Sequence, residues 1–81
     1  MWPGFLRLRY VGHTLTPDGR ITADPSIRLG KACIAGTRLT VGDILGFFSA
    51  EMTLEEILED YPELNREDIQ AALTFAAKRE S

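Results

Sequence analysis

Thr40 with Asp43, Thr53 with Glu56 and Asn65 with Asp68 each set a residue of the kind that caps helices three positions ahead of a carboxylate, just before an apolar-periodic run. No other feature restricts the folding of this chain as tightly, because each such pair marks a place where a helix starts. Thr40 is the expected N-cap of the first helix. Asp43 then takes the third helical position, where a carboxylate meets free amide groups and the positive end of the helix dipole. Thr53 and Glu56 form a capping box, in which the hydroxyl accepts from the Glu56 amide while the Glu56 carboxylate reaches back to Thr53. Asn65 and Asp68 repeat the device. Behind each cap the apolar residues recur at the helical period: Val41, Ile44, Leu45 and Phe48, then Leu54, Ile57, Leu58 and Tyr61, then Ile69, Ala72, Leu73 and Ala76. The first helix is expected to end near Ala50 and the second at Pro62, while the third runs through REDIQAALTFAAKR. Short turns between them predict a trihelical bundle of helix-turn-helix type. The stretch DYPEL, Asp60 to Leu64, reads as structural, with Pro62 ending a helix, Leu64 preceding the Asn65 cap and Tyr61 packing with its hydroxyl toward an edge.

Ahead of Thr40 the pattern is one of strands and turns. Phe5 to Val11 alternates with the period of a strand, and Thr16 to Arg20 places proline before Asp-Gly, a turn sequence. A short strand around Ile21 and a turn over Ala23 to Ile27 are expected to follow. Charge divides at the same point. Residues 1–40 hold six basic side chains against two acidic, and residues 41–81 hold three against ten, so a +4 arm precedes a −7 body and the chain totals −3. The expectation is one domain over 1–81, a basic β/turn arm at 1–40 joined to an acidic trihelical bundle at 41–81. With 81 residues to build one core, a partner subunit would help, and a homodimer is expected. Met1 to Val11 does not read as a signal peptide and the longest apolar stretches are too short for a bilayer, so a cytoplasmic protein that does not engage membranes is expected. Cys33 and His13 are single, which excludes an internal disulfide and leaves too few ligands for a metal site; no cofactor is expected.

The segment GKACIAGTRLTVGDIL, Gly30 to Leu45, joins the two parts. Gly36 supplies a backbone conformation closed to other residues, so the chain turns sharply between Ile34 and Leu39. Thr37 is placed to close that corner with a hydroxyl bond to local backbone, and Arg38 projects from it. This segment, followed by EEILEDYPELNREDIQAAL, resembles the bacterial and archaeal family called domain of unknown function 433, whose typical run is a Gly-Lys-Pro-Cys/Val-Ile-x-Gly-Thr-Arg corner and then Tyr-Pro-x-Leu before the last helix. The resemblance spans roughly Ile21 to Ala77. It implies a mainly α, homeodomain-like three-helix fold behind a short N-terminal strand region. It also implies the role of an antitoxin of the VapB kind in a type II toxin-antitoxin pair, with a PIN-like ribonuclease toxin as partner. Two positions depart from the family's pattern. Ala32 replaces its usual proline, and Glu51 replaces a glycine in the turn after the first helix, at about 1 kcal/mol if that turn needs a positive φ.

Two functions are open on this reading. As a DNA-binding autoregulator the protein would read bases with Arg66, Gln70, Thr74 and Lys78 of the third helix and hold phosphates with Arg7, Arg9, Arg20 and Arg38. The acidic second helix beside them makes weak DNA binding the expectation for a monomer. As a protein-binding module it would offer Glu55 and Glu59 to a basic enzyme. Phe47 and Phe75 lie to the side of the inward stripes, and either extend the core or form a patch for a partner. Gly36 and Thr37 build the corner. Arg38 either pairs with a carboxylate such as Asp43 or Asp60, or contacts a ligand. A stand-alone DNA-binding regulator, or an interaction module without a toxin, is the alternative. Catalysis is not expected, since no nucleophile with a base, no paired carboxylates in a cleft and no metal set can be assembled from these residues.

Overall fold

A computed structural model describes residues 13–80 of the chain. The expected strand at Phe5 to Val11, and with it Arg7 and Arg9, lies outside the described residues. Three short strands, β1 (His13–Thr14), β2 (Ile21–Ala23) and β3 (Cys33–Ile34), form an antiparallel sheet in the order β1-β2-β3. Three helices follow: α1 (Val41–Ser49), α2 (Leu54–Asp60) and α3 (Arg66–Glu80).

The β1–β2 hairpin turns at Thr16 to Arg20 as the sequence predicts. The Gly19 amide donates to the Thr16 carbonyl at 3.0 Å, and Gly19 takes the positive φ, +74°, that the turn requires. A second turn over Asp24 to Ile27 closes through the Ile27 amide on the Asp24 carbonyl at 2.9 Å. Between β2 and β3 the chain makes an unexpected excursion: Arg28, Leu29 and Gly30 all have positive φ, at 50°, 61° and 80°. Two non-glycine residues in the left-handed region cost about 1 to 2 kcal/mol each, and Leu29 at its apex is 92 % exposed.

All three helix starts form reciprocal caps. The Thr40 hydroxyl accepts from the Asp43 amide and the Asp43 carboxylate from the Thr40 amide, and the same exchange joins Thr53 with Glu56 and Asn65 with Asp68. α1 ends at Ser49 and α2 at Asp60, two residues before Pro62. One core joins sheet and helices: Ile21 and Ile34 from the strands lie with Val41, Ile44, Ile57, Leu64, Ile69 and Ala72. Leu45, expected inside, is 40 % exposed. Phe47, from another side of the same helix, packs against the core and stacks on Tyr61 at the end of α2 with ring centroids 4.9 Å apart. No helix of the described residues is long and apolar enough to cross a membrane.

Candidate functional site

The corner is built as its sequence implies. Gly36 has φ +79°, the Thr37 hydroxyl donates to the Ile34 carbonyl at 2.9 Å, and the same hydroxyl accepts the Leu39 amide at 3.0 Å. The Ile34 amide then bonds the Leu39 carbonyl at 2.8 Å, and Cys33 bridges Thr40. Gly36 and Thr37 therefore position the entry to α1, and Arg38 stands out from it exposed, its side chain in no ion pair with Asp43 or Asp60.

Asp43 pairs instead with Arg28, a residue the sequence had not singled out. The Arg28 guanidinium donates to the Asp43 carboxylate and to the Arg38 carbonyl, both at 2.9 Å. It thereby ties the left-handed excursion to the first turn of α1. Burial pushes the Asp43 carboxyl up, but the Thr40 amide and the Arg28 guanidinium outweigh it, and the group sits below its ordinary value. Arg20 makes the matching connection to the last helix. Its guanidinium reaches the Asp68 carboxylate at 3.0 Å and the Asn65 side-chain oxygen at 3.5 Å, and both belong to the cap of α3. The two arginines from the arm thus clip onto capping carboxylates of the first and last helices. The charge division along the chain is partly closed within it.

The outer face of α2 is left acidic. Glu55, Glu59 and Asp60 are exposed, and among the described residues the cation paired there is Arg66, which donates to Glu55 at 3.3 Å. A bond from its own backbone amide, and then Arg66, hold the Glu55 carboxyl below its ordinary value. Of the candidate DNA-contacting residues, Arg20 and Arg66 are engaged with carboxylates, and Gln70 donates to Thr74 at 3.2 Å. Gln70, Thr74 and Lys78 share the exposed side of α3 with Glu67, and together with Leu15, Ala71 and Phe75 they line a groove of about 630 Å³ between that helix and the β1–β2 turn. Phe75 extends the core from the side and carries the Arg79 guanidinium 5.4 Å above its ring. Phe47 packs against the core as well, and both rings stay partly exposed. Burial raises the Cys33 thiol above its ordinary value, as suits a packing residue. No group of three or more potential metal ligands comes together among the described residues.

Fold and surface define a small domain in which a three-stranded sheet is clipped to three capped helices. The chain belongs to the family described as Protein of unknown function (DUF433), whose profile matches residues 21–76, from the first residue of β2 into the last turns of α3. No curated protein and no solved structure matches it.

Proposed function

We propose that this protein is a cytoplasmic antitoxin of a type II toxin-antitoxin pair, neutralising a PIN-like ribonuclease by presenting the acidic face of α2 to that enzyme's basic RNA-binding surface. The role is the one that the family resemblance suggests. The observation that carries the mode of action is the state of α2: Glu55, Glu59 and Asp60 are all exposed, and among the described residues the cation paired on this face is Arg66, at the surface. Acidic side chains held on one face of a rigid helix raise the encounter rate with a cationic cleft and favour it over neutral surfaces. An exposed pair such as Arg66 with Glu55 is weak and exchanges readily for a partner's cation.

DNA binding is the second and weaker property on this reading. α2, the turn through Tyr61 to Asn65, and α3 would act as a helix-turn-helix of homeodomain-like type, with Gln70, Thr74 and Lys78 on one exposed side of α3 as the feature that favours it. With Arg20 and Arg66 neutralised by carboxylates, the phosphate contacts fall mainly to Arg38 and to Arg7 and Arg9.

The test is recovery of the tagged full-length protein from its native cell at natural expression, with bound proteins identified by mass spectrometry. A PIN-like nuclease in stoichiometric amount is the expected result, and E55K/E59K is expected to lose it. Recovery of the protein with DNA alone would overturn the antitoxin reading in favour of a stand-alone regulator.

A further inference from the structure

The row of α3 side chains that lines the groove has a charge order that matches itself. Along the exposed side of this helix run Glu67, Ala71, Thr74 and Lys78, spaced four, three and four residues apart so that they stand one above another. Acid stands at one end, base at the other, and two side chains too short to hold a neighbour off stand between. Leu15 from the turn after β1 and Phe75 from α3 give the groove its apolar walls, and Leu15 is 39 % exposed.

Turned end for end, that order reads the same. We propose that the groove is occupied by a second copy of this chain, the two α3 helices packing antiparallel about a two-fold axis between Ala72 and Leu73. In that pairing Glu67 of each copy faces Lys78 of the other, Ala71 faces Thr74, and Leu15 and Phe75 lose their contact with water. A two-fold interface requires this reciprocity, because each contact must occur twice with the partners exchanged. The helix of fifteen residues offers about 22 Å of length for the seam. Its antiparallel pairing also sets each helix's negative end beside the other's positive end. The dimer covers Gln70, Thr74 and Lys78, so α3 does not read bases in the dimer, and the acidic face of α2 is not used by it.

Sedimentation velocity on the purified full-length chain, across a concentration series and with no toxin or DNA present, tests the pairing apart from any antitoxin role. The wild type is expected to pass from monomer to dimer. E67K and K78E, each breaking two contacts by symmetry, are expected to weaken association about tenfold, and E67K/K78E, which rebuilds the pairs with signs exchanged, is expected to restore it. Helical circular dichroism of each variant verifies that it is folded. A wild type that stays monomeric, reversals that leave dimerisation unchanged, or a double variant as weak as the singles would each overturn the proposal.

Discussion

Strands of two and three residues carry the segment from His13 to Thr40, whereas helices of nine, seven and fifteen residues carry the rest. The helical part is determined locally: every helix has its own reciprocal cap and its own apolar stripe. The sheet part is not. Its strands are too short to be stable alone, and its shape depends on glycine and left-handed residues, on the Thr37 hydroxyl, and on two arginines that reach across to the helix caps. The difference shows how a small domain can let one part fold by local rules and use it as the template on which the other is fixed.

The strongest way to break that comparison is to remove one core residue from each side. Ile34 and Ile44 are 1 % and 0 % exposed and share one cluster. Ile34→Ala and Ile44→Ala are each expected to cost about 2 to 5 kcal/mol in urea unfolding and to leave a single transition. A separate, earlier transition in Ile34→Ala would show that the sheet is not part of the cooperative unit. Backbone substitutions sharpen the contrast at a smaller scale. At Gly36 an added Cβ meets nothing within 4 Å, so Gly36→Ala isolates the positive φ and should cost about 1 kcal/mol. Glu51 closes α1 with φ +68°, a strained conformation that a glycine would relieve, and Glu51→Gly should raise stability by about 1 kcal/mol. Equal and opposite shifts in the thermal midpoint would verify both.

Acid probes the junction between the two parts. The Asp43 carboxyl titrates below its ordinary value of 3.8 when folded, so its stabilising contribution is complete above 3.8 and is lost as pH falls through the lower folded value. The urea midpoint should fall over that window, and D43N should show a shallower fall. This response contains the Thr40 cap as well as Arg28, and so exceeds what Arg28 alone supplies.

The helices were legible because their signals are short in range. A cap and its carboxylate stand three residues apart, and the helix starts at Thr40, Thr53 and Asn65 follow from chemistry contained in one turn. The corner at Gly36 and the turn at Gly19 were legible for the same reason. Arg28 was not, since its partner lies fifteen residues on and its reach depends on positive φ at Arg28 and Leu29, which neither residue advertises. The exposure of Leu45 and the inward packing of Phe47 escaped because the partner that Phe47 stacks on, Tyr61, lies outside its own helix. Of the candidate surface, the acid on α2 could be read directly. The neutralisation of Arg20 and Arg66 could not, because both bonds cross between elements.

The most direct test of the clip between arm and body is a double-mutant cycle on Arg28 and Asp43, using R28A, D43N and the double variant in urea unfolding at neutral pH. A coupling energy of about 0.5 to 1 kcal/mol is the result predicted for this half-exposed, hydrogen-bonded ion pair. Effects that simply add would show that Arg28 does not hold the basic arm to the helical body by its charge, and would return it to the surface available for a partner.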